Sequence, residues 1–520
     1  MFGRRATVIC QFIMAVLVTG GGCTPSSSPD VVSDSSSSKR SAPAVNPTPT
    51  IVDIGEAETW DIIRMSGKPI GYQVTRWQTK SENGEPVLEI SAESQLRLLR
   101  FGQPTEESMV LVSRETPTGE LSSFSTRVSA GGNPMVTNGK QFPGKLQISN
   151  EAGGSRQSWE LPLAQPCEGL FAVETSLKRQ PMKSGEVRKL QAFVPILNVV
   201  ASVQLVAMDW EETPLFSDTK RLLRIQGKTT LAPGQQIQTD LWTDAEGHVL
   251  RSYSPTMQQE TIRVDKEIAL GQRPANLDLG AASIVEIEAP LPSPAKTTCV
   301  KYRARLASEN PALVFARRPY QKVEPIDERS AYITVTAVNP ERLLVEETGP
   351  QDSDLQPSAL IQADDPSIVA LAAGLPDADD PSEQALAIAT FAHQFIDEKN
   401  FSTTFASAAD VAQSRTGDCT EHAVLVAALC RARGIPARVV VGLVYVPSKN
   451  GFGFHMWNEA WTNKGWLPLD ATLSDGRVAG GHLVLSTSAL SSQDSFSSFF
   501  PVIQTLGQLE LKVEDFELFE

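Results

Sequence analysis

The stretch "RTGDCTEHAVLVAALCRARGIPARVV", Arg415–Val440, decides the reading of this chain. Gly417 interrupts the backbone, and Asp418 is suited to cap a helix that begins at Cys419. Val424, Ala427, Ala428 and Arg431 carry the helical period onward. Gly434, followed by Ile435-Pro436, ends it. A thiol in a first helical turn faces unpaired N–H groups and the positive end of the helix dipole. That setting favours a thiolate and offers donors to an oxyanion forming beside the sulfur. A lone cysteine is more often a small buried hydrophobe than a nucleophile. The rest of the chain must supply the argument.

A nucleophilic cysteine needs a base, and the base needs an orienting group. "FGFHMWNEAWTNKGWLPLDAT", Phe452–Thr472, offers both. His455 lies in an aromatic strand, Thr462–Gly465 reads as a turn, and Asp470 lies on the return. Two registers compete. If Trp461 pairs with Trp466 around a four-residue loop, Trp457 faces Asp470, and His455 is a diagonal neighbour on the same side. A three-residue loop without a bulge would put His455 and Asp470 on opposite faces. The catalytic candidates are therefore Cys419, His455 and Asp470, in the first register.

Other residues have plainer readings. His422, one turn beyond Cys419, reads as packing or a contact at the helix N-terminus, ahead of pocket lining. Cys430 sits in the apolar run of the helix and reads as core. Trp457, Trp461 and Trp466 read as wall and core, although an indole N–H could serve an oxyanion. His248, His393 and His482 have no partner pattern and read as structural or surface residues. Zinc wants a tetrahedral set of ligands, and Cys430 is about three turns from the Cys419–His422 pair, so no metal or cofactor is expected.

Working outward, Asp380-Pro381-Ser382-Glu383 starts an earlier helix, with an N-cap Asp, Pro at its first position and Glu at its third. Ile388, Phe391, Ala392 and Phe395 then share a face. Ser407-Ala408-Ala409-Asp410 starts a shorter helix by the same capping chemistry. Upstream, residues 51–288 read as β-rich: short runs of strand formers are cut by turns such as Glu82-Asn83-Gly84. Glu115–Thr126 and Trp242–Pro255 echo each other as strand, glycine turn, strand, which is also the common grammar of hairpins. A Pro-rich linker, 289–297, leads to a β-rich connecting segment, 298–350.

The N-terminus is read as an address rather than as fold. Arg4 and Arg5 precede an apolar run, Ala6–Val18, and then Gly20-Gly21-Gly22-Cys23. This describes a signal peptide over residues 1–22, too short for an ordinary transmembrane helix. The small residues before Cys23 resemble a bacterial lipobox, with Gly20 where that motif usually has leucine. Cys23 is the expected lipidation site. Residues 23–50 read as a disordered tether, since Ser26–Ala44 holds nine serines and little that could pack. The expectation is an exported protein, periplasmic or at the cell surface, held to a membrane by its lipid. Export permits disulfides, so Cys167 and Cys299 could pair. The chain of 520 residues has a formal charge of −15 and no basic stripe, which gives nucleic acid nothing to engage.

Four ordered blocks, "GDCTEHA", "GIPARVVVGLVY", "HMWNEAW" and "GWLPLDAT", resemble the transglutaminase-like core, built on the papain-like cysteine-protease plan. The likeness covers roughly Asp380–Leu485. It implies a multidomain protein in which the N-terminal antiparallel β-rich region precedes an α+β transglutaminase-like domain, taken as residues 351–520. It also implies that Cys419 is the nucleophile, His455 the base and Asp470 its orienter. The reaction implied is acyl transfer on a protein or peptide: a thioester forms on Cys419 and is resolved by water or by an amine. Two rivals stand beside it. One is a catalytically silent binding or scaffold lipoprotein of the cell envelope. The other places the function in the β-rich region, with the enzyme secondary.

Overall fold

The computed structural model describes residues 57–519 apart from 131–132, 233–234, 308, 339–348, 399–405 and 492–496. The signal peptide (1–22), the tether (23–50) and Cys23 lie outside the described residues. No helix among the described residues is long and apolar enough to cross a membrane.

Fourteen strands between Ala57 and Val264 form one antiparallel sheet. They run as two meanders joined where the first strand, Ala57–Met65, pairs with the fourteenth, Gln259–Val264. The strands alternate inward and outward residues, as a sheet with one buried face requires. Along Gln103–Glu115, for example, every second residue from Thr105 to Glu115 is buried. The sheet curls strongly. Phe124 of the fifth strand meets Phe193 of the ninth at 4.8 Å between ring centroids. Those strands stand ten positions apart in the sheet order, roughly 48 Å in a flat sheet at about 4.8 Å per strand. The loop at Glu168 spans the gap, bridging Glu120 on one side and Ala192 on the other. Trp77, Phe124, Phe171 and Phe193 fill the enclosed face. The two segments that echo each other are both hairpins. Each has a register shift just before its turn, at Arg114/Glu115 and at Trp242/Thr243.

The Cys419–Ala432 helix forms the centre of the C-terminal half. All of its residues from Thr420 to Arg431 are buried, which explains why it is apolar nearly all round. Asp418 caps it, with Glu421 completing a capping box. The helices Pro366–Ala373, Pro381–Phe395 and Ala408–Ser414 start at Asp365, Asp380 and Ser407, whose side chains accept first-turn N–H groups. Beside the Cys419–Ala432 helix lies a sheet ordered Val285–Glu286, Gly451–Thr462, Ala437–Val446, His482–Ser488, with Gly465–Leu469 also paired to Gly451–Thr462. Asn458 ties helix to sheet by donating to the Ala423 carbonyl at 2.8 Å.

A third sheet is built from Gln321–Asp327, Ser330–Thr336, Thr297–Leu306 and Leu509–Leu518, in that order. The last strand of the chain thus pairs with the connecting segment. A buried charge cluster fastens this layer to the strand that carries His455. Arg318 meets both carboxylate oxygens of Glu459, Arg438 reaches Oε2 at 2.7 Å, and the Tyr320 hydroxyl donates to Oε1 at 2.5 Å. Cys167 and Cys299 are both free thiols and do not pair. Cys167 donates to Gln141 Oε1 at 3.2 Å, and burial pushes its pKa up to about 11. Cys430 is fully buried in the helix core.

Candidate active site

Cys419 occupies the first position of its helix, immediately after the Asp418 cap, and is partly exposed. The glycine before the cap is required by packing. A Cβ on Gly417 would sit 2.3 Å from Glu421 Cβ. Asp418 Oδ1 accepts the Thr420 N–H at 2.8 Å, and Glu421 Oε2 accepts the Asp418 N–H at 2.9 Å. Glu421 also accepts from Ala406 N at 3.1 Å. Burial, with the nearby Asp418 carboxylate, holds the Glu421 pKa well above the usual carboxylate range.

The Gly451–Thr462 strand delivers His455. Its hairpin pairs Trp461 with Trp466 and Thr462 with Gly465, which is the first of the two registers considered above. Extending the ladder from the Asn458–Leu469 pair places Asp470 just past the end of the returning strand. The His455 Nε2–H donates to Asp470 Oδ2 at 2.8 Å. With Nε2 taken, Nδ1 is the ring nitrogen left for Cys419, whose side chain neighbours the imidazole. The structure therefore brings all three residues together. Gly442 faces His455 across the ladder. A Cβ there would lie 1.9 Å from the Leu483 carbonyl oxygen and 2.7 Å from the Trp457 ring, so only glycine lets the strands and the indole meet behind the imidazole.

Asp470 is saturated with donors. Thr472 gives Oδ1 both its N–H at 2.9 Å and its hydroxyl at 2.6 Å. His482 gives Oδ2 its Nε2–H at 3.1 Å. Burial alone would raise the Asp470 pKa, but His455 and His482 outweigh it and hold the carboxyl well below its usual range. Burial likewise disfavours charge on His455. Asp470 first, and then Cys419, reverse this and raise His455 well above 6.5. The imidazole thus tends to keep its proton beside the sulfur.

His482 was read from the sequence as structural or surface. It is buried and shares the Asp470 oxygen with His455. Trp457, read as wall and core, is buried against both imidazoles, 6.0 Å from His455 and 5.3 Å from His482 between centroids. No spacing signal could have revealed His482. It becomes a neighbour only because the His482–Ser488 strand docks beside Ala437–Val446, on the far side from the His455 strand. The His393 Nδ1–H donates to the Ala471 carbonyl at 2.9 Å, and the His422 Nδ1–H donates to the Asp418 carbonyl at 2.6 Å. His248 lies apart, on Asp244 of the N-terminal sheet. Of the described residues near the site, His455, Asp470 and His482 bring three potential metal-ligand atoms within 4.8 Å of one another. An ion there would replace the hydrogen bonds that orient His455.

Residues 369–471 match the model of the transglutaminase-like superfamily. The chain thus carries a transglutaminase-like domain in its C-terminal half, and Cys419, His455 and Asp470 all fall within that match. No curated protein matches the chain. Among solved structures it is similar to a "putative cysteine protease" from Cytophaga hutchinsonii, at 17% identity and a TM-score of 0.28, over 42% of this chain and 87% of that one. It is also similar to a "putative protease" from Parabacteroides distasonis, at 12% identity and a TM-score of 0.19, over 76% of this chain and 69% of that one. A β-barrel-like protein of unknown function from Brucella abortus matches 41% of this chain and 96% of its own length, at 9% identity and a TM-score of 0.31.

Proposed function

We propose that this protein is a cysteine-dependent acyltransferase or amidohydrolase acting on protein or peptide substrates outside the cytoplasm, tethered to a membrane by lipid on Cys23. One observation carries the catalytic part: His455, hydrogen-bonded to Asp470, stands beside Cys419, a thiol at a helix N-terminus. In this reading the Cys419 thiolate attacks a carboxamide or peptide carbonyl. The first-turn N–H groups of its helix stabilise the oxyanion. The His455 imidazolium protonates the departing ammonia or amine, leaving a thioester on Cys419. Neutral His455 then takes a proton from water or from a second amine as either attacks the thioester, and the thiolate leaves. Asp470 keeps His455 in the orientation and charge state that both half-reactions need.

The test is alkylation of the purified mature chain with iodoacetamide across pH, with the labelled residue mapped by mass spectrometry. Cys419 should label rapidly well below about pH 8.5, the free-thiol value, and removal of His455 (His455→Ala) should abolish that advantage. Labelling at ordinary thiol pH that ignores His455 would move the chain to the silent binding or scaffold reading. Incubation with a glutamine-bearing protein, with and without a fluorescent primary amine, then separates crosslinking from hydrolysis. Cys419→Ser should end both.

A further inference from the structure

The N-terminal sheet reaches into the site just described. Its third strand, Glu85–Arg100, ends in a two-residue hairpin turn, Phe101-Gly102, with both residues at positive φ. This tip is pinned. The Asp278 carboxylate accepts the Phe101 N–H at 2.9 Å and the Gly102 N–H at 2.7 Å, and the Leu99 N–H donates to the Leu277 carbonyl at 2.9 Å. Gly280 must be glycine for the same contact, because a Cβ there would strike the Phe101 ring at 2.8 Å. The clamp aims one side chain. Arg100 Nη2 donates to Asp418 Oδ2 at 2.8 Å, and both side chains are almost wholly buried. Asp418 is the cap of the Cys419 helix, and its other oxygen is already bound to Thr420 N.

We infer that Arg100 is a positioning residue for the nucleophile: by neutralising Asp418 from the N-terminal sheet, it preserves the positive character of the helix start that Cys419 uses. The inference rests on the proposed cysteine chemistry and extends it to a second domain. An unpaired carboxylate one residue before a thiolate would oppose it by like-charge repulsion. Freed of Arg100, the same carboxylate could also swing away from its capping position. The charge of Arg100 is secure. Burial disfavours it, but Asp418 first, and then Cys419, Glu421 and Glu107, more than compensate. Two further acids face Arg100 besides Asp418: Glu421, which burial and Asp418 hold well above the usual carboxylate range, and Glu107 on the adjoining strand, which burial pushes up to about 8. Near neutral pH Glu107 is therefore largely uncharged, and Asp418 is the strongest charge partner of the guanidinium.

The test uses the full mature chain and reads the pH dependence of Cys419 alkylation, which needs no substrate. Arg100→Gln should slow labelling about tenfold at pH 6–7 and move the profile to higher pH by about one unit. Arg100→Lys, which keeps the charge, should recover most of the rate. Adding Asp418→Asn to Arg100→Gln should also restore labelling, because asparagine still caps a helix but carries no charge. Loss of domain docking alone would not be rescued in that way. Gln157→Ala is the docking control: it cuts a 2.6 Å contact from the same sheet to the Pro357 carbonyl that does not involve Asp418, and should leave the profile in place. If Arg100→Gln does not fold, Asp418→Asn compared with the double variant carries the same test: with no carboxylate left to neutralise, the two should label alike, and a much slower double variant would overturn the inference. An unchanged profile in Arg100→Gln, or no rescue by Asp418→Asn, overturns the inference. Wild-type Cys419 that labels only at ordinary thiol pH would instead overturn the catalytic reading itself.

Discussion

Glu459→Gln is the sharpest test of how the His455 strand is held. Glu459 is fully buried, four residues along from His455, and collects Arg318, Arg438 and the Tyr320 hydroxyl. Burial alone would raise its pKa, but Arg318 and Arg438 bring it down from 4.5 to about 2. A drop of that size corresponds to about 3 kcal/mol of folding stability at neutral pH. Glutamine keeps the shape and one acceptor but removes the carboxylate charge that both guanidinium groups face, a loss of about the same size or larger. The sign with pH follows from the direction of the shift. A depressed carboxyl contributes fully above its unfolded value and loses that contribution as pH falls through the folded one. The advantage of wild type over Glu459→Gln should therefore be about 3 kcal/mol at pH 7 and still nearly complete at pH 5. It should fall to roughly 1.4 kcal/mol at pH 3. Urea unfolding followed by tryptophan fluorescence at those three pH values measures it. A variant as stable as wild type at pH 7, or a difference that stays constant from pH 7 to pH 3, would refute the reasoning.

Three further outcomes follow from the site. Asp470→Asn should lower kcat by roughly 10³–10⁴-fold; because Asp470 is what keeps His455 protonated, the alkaline limb of the Cys419 labelling profile should also move to lower pH. His482→Gln removes one of the donors that keep Asp470 ionised. Turnover should fall by about tenfold with little change in melting temperature, and a variant indistinguishable from wild type in steady-state kinetics would return His482 to a packing role. Gly442→Ala forces a methyl against the Leu483 carbonyl and Trp457. It should cost roughly 1–3 kcal/mol, seen as a lowered melting temperature, and should reduce activity in step because the distortion lies directly behind His455.

The parts of this structure that were legible in the sequence are those whose physics is local. Asp418, Asp380 and Ser407 each cap the helix they were expected to start, because a cap is a contact between a side chain and an N–H two or three residues away. The capping box formed by Glu421 obeys the same rule, and its signal is the "DCTE" spacing. The hairpin register was legible only in part: the residues allowed two loop lengths, and the function expected of the site favoured the one observed, in which Thr462–Gly465 is the turn and every pair back to Asn458–Leu469 is determined. In the N-terminal region the alternation of strand formers and turns revealed antiparallel strands. The pairing of the first strand with the fourteenth was not visible, since its partners lie about two hundred residues apart and no turn joins them.

What the sequence hid are contacts made between elements that are distant in the chain, and those contacts surround the nucleophile. Arg100 and Asp418 are 318 residues apart, and nothing in "RLLRFGQP" marks its last arginine as different from the one three residues before it. Yet Arg97 pairs with Glu106 at the exposed surface, while Arg100 is buried against the cap of the Cys419 helix. The difference is set by the hairpin tip and its Asp278 clamp. The Pro-rich join suggested that the β-rich region could be cut away from the enzyme. Its flank instead adds Val285–Glu286 to the edge of the His455 strand. Severing the chain there would remove a strand from the sheet that holds His455 and leave Asp418 buried without its cation. The physical unit that prepares Cys419 is therefore larger than the stretch that resembles a transglutaminase core: the local sequence supplies the reacting groups, and the distant sheet supplies a charge beside them.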